Sequence, residues 1–158
     1  MQNQSINSKG RATMYKNGTV PTSKAQKHVC DLYDGILNYP VGKHSVDILL
    51  ANNIAVEYDG GGHNLQVIHK KMTQEEFENK AKGRYYCLKR NGYKVITLIN
   101  KSDKLPSDMT LLKIKNIAID ALKECDVNWV EINLDTMILK TKKQTIHIDL
   151  GEINELNQ

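Results

Sequence analysis

Hydrophobic and polar residues follow two different periods along the chain, and each change of period marks a new element. Apolar residues at helical spacing predict three helices, at about 23–34, 74–91 and 107–124. Short apolar or alternating runs predict strands, at 37–41, 45–50, 54–59, 93–99, 129–134, 136–140 and 144–150. This order, α-β-β-β-α-β-α and then a β-rich tail, predicts an α/β (α+β) domain whose mixed β-sheet is flanked by helices.

Local signals indicate where these elements begin and end. Thr22 or Ser23 can cap the first helix, and Gly35 ends it. Thr73 opens the second helix with a capping box. Three consecutive glycines at 60–62 cannot continue a regular strand, so the strand at 54–59 is expected to stop before them.

Composition divides the 158 residues into three parts. Residues 1–21 are polar and basic, which predicts a flexible basic arm. Residues 22–126 carry the predicted core, and 127–158 form a β-rich C-terminal extension packed on that core. The extension either pairs with a second copy, giving a homodimer, or extends the sheet of its own chain, and the sequence leaves both alternatives open.

Several classes of protein are disfavoured by the sequence. No apolar run approaches the roughly 18–20 residues of a membrane span, and the first residues lack the apolar core of a signal peptide. We therefore expect an intracellular protein without a membrane partner. Cys30, Cys87 and Cys125 are odd in number and widely spaced, so we expect reduced thiols and neither a disulfide framework nor a zinc ribbon.

The distribution of charge says more than the net charge of +4. Residues 1–46 carry six lysines and arginines against two aspartates, and residues 69–94 carry eight against three glutamates. Two basic segments thus flank a central acidic cluster, an arrangement that could draw in a polyanion and act on it at the centre. For any single lysine, a solvated helix face is the simpler explanation.

The acidic cluster predicts a metal site. Glu57 and Asp59 are two residues apart on one strand and share a face. A hairpin turn at 51–53 would place Asp47 opposite residues 57–59. Three converging carboxylates repel one another unless a cation lies among them, and Mg²⁺ or Mn²⁺ is the natural choice. His63, four residues after Asp59, could serve as general base or acid, although a lone aspartate or loop histidine is usually just solvated.

At these residues the chain resembles a known superfamily. Asp47, nine residues and then Glu57-Tyr58-Asp59 resemble the PD-(D/E)xK nuclease motif. The sequence D-G-x-x-H from Asp59, and R-x-x-x-L-x-x-x-G-Y from Arg84, narrow the similarity further. They resemble the branch of small endonucleases akin to the very-short-patch repair endonuclease, which includes phage and intron homing enzymes. The resemblance covers about residues 20–108.

The resemblance implies a restriction-endonuclease-like fold and Mg²⁺-dependent hydrolysis of phosphodiester bonds in DNA, in the cytoplasm of a bacterial or phage-infected cell. Asp47 and Asp59 would then be metal ligands, and His63 would act near the scissile phosphate. Arg84 would contact phosphate or, equally, form a salt bridge with the carboxylates. Binding of the DNA backbone is expected from basic residues of the arm and helices: Lys9, Arg11, Lys16, Lys24 and Arg84.

Three positions depart from the family pattern. The motif ends in lysine where this chain has Asp59, so Lys80 or His63 is the candidate substitute. Relatives have a glutamate where Gln26 stands, and an acidic residue where Ala81 falls. The chain is therefore a natural variant, an enzyme weakened by Ala81, or a chain altered to trap a complex. Two alternatives remain: a catalytically inactive DNA-binding module on a nuclease fold, or a phosphate-binding or structural protein whose glycines merely turn the chain.

Overall fold

The computed structural model of the chain describes residues 10, 12–16, 22–61 and 72–150. These residues contain the predicted helices, here α1 (Lys24–Leu32), α2 (Gln74–Arg90) and α3 (Asp108–Glu124). They also contain the predicted strands, β1 (Ile36–Val41), β2 (His44–Leu50), β3 (Ile54–Gly60), β4 (Lys94–Asn100), β5 (Trp129–Asn133), β6 (Ile138–Lys140) and β7 (Thr145–His147). The prediction of an α+β domain with a mixed sheet is confirmed.

One seven-stranded sheet runs in the order of the chain, β1-β2-β3-β4-β5-β6-β7. The first three strands are antiparallel, joined by a turn at 42–43 and a short 3₁₀ turn, Ala51–Asn53. The strands β3, β4 and β5 are parallel, and α2 and α3 provide the long crossovers that parallel pairs require. The strands β6 and β7 return as antiparallel hairpins.

The helices cover the sheet on both faces. One face packs against α1 and α3 and holds the larger core, which includes Val56, Leu98 and Ile132. The other face packs against the C-terminal half of α2, where Leu88 is the buried residue of that helix. The N-terminal half of α2 is largely exposed.

The predicted N-terminal caps are present, whereas the first helix ends at Leu32 and Asp34, not Gly35, has the left-handed backbone conformation after it. The side chain of Ser23 accepts the main-chain N–H of Gln26 at 3.1 Å, and that of Thr73 accepts the N–H of Glu76 at 3.1 Å. Each cap satisfies a donor that the first turn of a helix leaves without a partner. The hydroxyl of Ser107 does the same at the start of α3.

Three expectations are corrected or resolved. Residues 12–16 of the predicted flexible arm are helical, and Tyr15 packs edge-on against Tyr39 with ring centroids 6.0 Å apart. The strand β3 includes Gly60, and the turn begins at Gly61. The β-rich extension adds β6 and β7 to the sheet of its own chain. In the part of the chain described, no helix combines the length and apolarity needed to cross a membrane.

Candidate functional site

The strands β2 and β3 separate at Asp47. They pair from Leu50↔Ile54 to Ile48↔Val56, where residue numbers sum to 104 as predicted, and the pairing then stops. On the other side of β2, Asn38 lies opposite Asp47 with a positive φ of 54°. Val46 packs on the α2 side, whereas Ile48 packs on the α1 and α3 side. Regular alternation is therefore interrupted at Asp47.

The Asp47 side chain fills the gap between the two strands. Its Oδ2 accepts the main-chain N–H of Tyr58 at 2.9 Å, a donor that a regular ladder would give to a carbonyl. Its Oδ1 lies 3.4 Å from Nη2 of Arg84. Asp47 is thus both a bridge between β2 and β3 and a charged group at the edge of the separation.

Arg84 of α2 joins Asp47 to Glu57. Its Nη2 donates to Oε2 of Glu57 at 2.7 Å and also contacts the main-chain carbonyl of Ser45. Of the two predicted roles of Arg84, phosphate contact or salt bridge to the carboxylates, the structure has the salt bridge.

The surroundings of the Glu57 carboxyl group disfavour its ionised form. Its side chain is 15% exposed, and its Oε1 is buried without a hydrogen-bond partner. Burial raises the pKa of Glu57 well above its ordinary value, and the charge of Asp47 raises it further, while Arg84 opposes both. A cation or a proton at Oε1 would relieve this cost.

Asp59 forms an ion pair with a different basic side chain, that of Lys101. Its Oδ1 lies 2.7 Å from Nζ of Lys101, which follows β4 directly. Lys80, the predicted substitute for the missing lysine, is exposed on α2. Among the described residues, no three histidine, cysteine or acidic side chains form a group that could hold a metal ion. The convergence of Asp47, Glu57 and Asp59 on one ion therefore stays a prediction.

Gln26 of α1 supports the site by hydrogen bonds to β1 and β2. The side chain is buried, and its Nε2 donates to Oδ1 of Asn38 at 3.1 Å and to the main-chain carbonyl of Asp47 at 3.2 Å. An amide can donate in this way whereas a carboxylate cannot. Gln26 therefore fixes the distorted part of β1 and β2.

A cleft of about 470 Å³ opens beside Asp47, between the start of α1 and the ends of β3 and β4. It is lined by residues 23–26, Asp47, Tyr58, Gly60 and Asp103. Lys24 and the carboxylates of Asp47 and Asp103 are its charged groups, so two negative charges face one positive charge. A phosphate entering the cleft would need a further cation.

Asp103 and Lys101 are site residues that the sequence analysis did not identify. They follow β4, which is parallel to β3, and parallel strands end at the same edge of a sheet. That rule could have placed both beside Gly60 and Asp59. Of the other predicted residues, Lys16 and Lys24 are exposed, as is Ala81 on α2. His63, Lys9 and Arg11 lie outside the described residues.

Comparison with family models, with curated proteins and with solved structures gives no match. The resemblance to small endonucleases accordingly stays a prediction.

Proposed function

We propose that this chain is a metal-dependent DNA endonuclease, whose reaction takes place at the cleft beside Asp47. One observation carries the proposal: Asp47 lies where β2 and β3 separate, beside a buried Glu57 oxygen without a partner, and its side chain lines an open cleft. Catalytic carboxylates are commonly held by such rigid elements at the edge of a concave site.

The residues present fit a divalent cation in their chemistry. The ligands are hard oxygens, the cleft has more negative than positive side chains, and Oε1 of Glu57 is buried without a donor. Mg²⁺ is commonly held by one or two carboxylates together with substrate phosphate and water, so a full set of protein ligands is not required. Asp47, which lines the cleft, and Asp59, as the resemblance implies, would hold the ion, with Glu57 as the further candidate; Asp59 and Glu57 do not line the cleft.

Such an ion would supply a polarised phosphate and an activated water. The protein residues have other tasks. Lys24, exposed at the cleft, would bind a backbone phosphate, and Gln26 keeps the main chain of Asp47 in place. Arg84 holds Glu57 and Asp47 together and is not available as a phosphate ligand in this arrangement. The resemblance gives His63 the proton transfer near the scissile phosphate.

The proposal is tested with supercoiled plasmid incubated with the protein and Mg²⁺ or Mn²⁺. We expect nicking or cutting that chelator abolishes, and a loss on the order of 100-fold or more for Asp47→Asn. Asp120→Asn, the same change on the exposed face of α3, is the matched control and should cut like the wild type. Intact DNA with every substrate, both for the wild type and for Ala81→Glu, would refute the enzyme.

A second candidate, a catalytically inactive DNA-binding module, is favoured by one specific observation. Arg84 already pairs with both Asp47 and Glu57, as an internal cation would in place of a metal ion. Under this alternative, DNA binding would be unaffected by chelator and by Asp47→Asn. A crystal soaked in Mn²⁺ separates the two, since anomalous scattering beside Asp47 and Asp59 is expected only for the enzyme.

A further inference from the structure

The end of β3 is held by a carboxylate from a different loop. Asp103 follows β4, and its Oδ2 accepts the main-chain N–H of Gly61 at 3.0 Å. Its Oδ1 accepts the hydroxyl of Tyr58 at 3.3 Å. One side chain therefore contacts the chain on both sides of Asp59, at Tyr58 in β3 and at Gly61 just after it.

The contact is close enough to require glycine. A Cβ on Gly60 would lie 2.5 Å from Oδ1 of Asp103, and a Cβ on Gly61 would lie 2.6 Å from Oδ2. A Cβ at Gly60 would also lie 2.9 Å from Cε1 of Tyr58, and one at Gly61 would lie 2.6 Å from the carbonyl oxygen of Lys101. Alanine at either position would therefore force these neighbours or the strand to move. The two glycines and the aspartate form one fitted unit.

The loop that carries Asp103 is itself well anchored. The main-chain N–H of Asp103 donates to the carbonyl of Asn100 at 3.0 Å. The carboxylate of Asp135, from the turn after β5, accepts the N–H of Lys101 at 2.8 Å and the hydroxyl of Ser102. Asp103 is exposed, but these bonds hold in place the loop that carries it.

Both contacts of Asp103 are made with residues next to the candidate site. Tyr58, whose hydroxyl bonds to Asp103, donates its main-chain N–H to Asp47. Asp59 lies between Tyr58 and Gly61 in the sequence. We propose that Asp103 is a positioning residue, which holds the end of β3 and thereby orients the carboxylates of Asp47 and Asp59; its effect on a reaction rests on the proposed nuclease function.

A carboxylate suits this task better than an amide. Asp103 accepts from two donors, one at each oxygen. Asparagine has one acceptor oxygen. If that oxygen accepts the N–H of Gly61, the NH₂ group faces the Tyr58 hydroxyl, whose oxygen already accepts from Nδ2 of Asn100 at 2.9 Å. Asp103→Asn therefore breaks one contact while it keeps the shape of the side chain and removes a negative charge from a cleft proposed to bind phosphate.

The experiment compares wild type, Asp103→Asn and the control Asp120→Asn by amide hydrogen exchange and by DNA cleavage. In Asp103→Asn we expect exchange at Tyr58 and Gly61 to rise tenfold or more, with Val56 unchanged as the internal reference for global stability. Cleavage at saturating DNA should fall tenfold or more, while DNA affinity stays equal or improves because a negative charge is lost. A merely structural role would lower cleavage and DNA affinity together, and it would speed exchange at all amides of β3 alike.

Unchanged exchange at Tyr58 and Gly61 overturns the proposal, whether or not the protein cuts DNA. Faster exchange with wild-type cleavage overturns it too, because the support would then have no effect on the reaction. If the wild type fails to cut, the proposed function fails, and the exchange data still decide whether Asp103 holds the end of β3. A second variant, Gly60→Ala in the Asp103→Ala background, should be less destabilised than Gly60→Ala alone, since the clash with the carboxylate is gone.

Discussion

At the scale of single residues, the site balances charges that would be costly alone. Arg84 contacts Asp47 and Glu57, and the side chains are between 15% and 33% exposed. Removing one partner of such a group leaves the others partly buried without compensation.

Arg84→Met should destabilise the protein by about 1–3 kcal/mol, measured by urea unfolding at pH 7. The loss is limited because Glu57 can take up a proton once the arginine is absent. Lys82→Met, on the exposed face of the same helix, is the control and should change stability by less than about 0.5 kcal/mol. The double variant Arg84→Met/Glu57→Gln should lose less than the sum of the single variants, and strict additivity would contradict a direct interaction.

The pKa of Glu57 predicts a dependence of stability on pH. Because its folded pKa lies above the ordinary value of 4.5, the folded state keeps this proton longer than the unfolded state does. The contribution of Glu57 to the free energy of unfolding is therefore fully present below pH 4.5, the ordinary pKa, and is lost as pH rises through the folded pKa. Urea unfolding of wild type and Glu57→Gln from pH 4.5 upward should show the wild type falling relative to the variant; parallel curves would be the contrary result.

The sequence predicted the Asp47, Glu57 and Arg84 neighbourhood but not Lys101 or Asp103. Asp47 and Glu57 lie in neighbouring strands joined by a short turn, so their proximity follows from local pattern. Arg84 was placed near them by the resemblance to the nuclease family, since its contacts to both span more than 25 residues along the chain. Lys101 and Asp103 contact Asp59 and Gly61, each 42 residues away along the chain, only because β3 and β4 are parallel neighbours. That pairing depends on the assembled sheet and leaves no local signal.

At the scale of elements, two glycines show opposite uses of the same residue. Gly35 lies between α1 and β1, and a Cβ there would lie 2.5 Å from Cγ2 of Ile48 and 3.2 Å from the carbonyl oxygen of Leu49. Gly83 lies inside α2, and a Cβ there would have nothing within 4 Å. The first glycine permits close packing, whereas the second only weakens its helix.

The pair gives a matched test of packing. Gly35→Ala should destabilise the protein by about 1–3 kcal/mol, because the added methyl group clashes with the core of β2. Gly83→Ala should stabilise it by about 0.5–1 kcal/mol through helix propensity. Thermal unfolding of both variants decides the matter, and an unchanged midpoint for Gly35→Ala would show that α1 moves freely on the sheet.

Elements were predicted more accurately than their distortions. Caps and apolar periodicity located each helix and strand, because these signals act within a few residues. The interruption of β2 at Asp47 carries no such signal, since Val46 and Ile48 are both apolar and look like one face of a regular strand. The helical residues 12–16 were missed for a similar reason: their contact through Tyr15 is made with β1 and not within the segment.

At the scale of the whole molecule, charge decides how a polyanion could approach. The net charge is +4, yet the cleft itself carries Asp47 and Asp103 against Lys24. Attraction at long range therefore comes from the surroundings of the cleft, and Lys24 is the lining residue that can continue it to the site. This distribution favours binding of the DNA backbone outside the point of chemistry.

Lys24→Met should reduce the salt dependence of DNA binding. If Lys24 neutralises one phosphate, the slope of log K against log salt should become less negative by about 0.9. Lys123→Met, at the far end of α3 and outside this cleft, is the matched control and should leave the slope unchanged. Fluorescence anisotropy with a labelled duplex at several salt concentrations measures the slope, and equal slopes for all three proteins would exclude Lys24 from the contact.

The strands lie in the sheet in the same order as in the sequence, and this has a consequence for folding during synthesis. Each strand pairs with the strand made just before it, so a chain leaving the ribosome can add strands one at a time to a sheet that already exists. The hairpin β1–β2 and the strand β3 can form while α2 is being translated, and β6 and β7 join last. The loop with Asp103 emerges only after β4, so a nascent chain would hold the end of β3 in its final position relatively late.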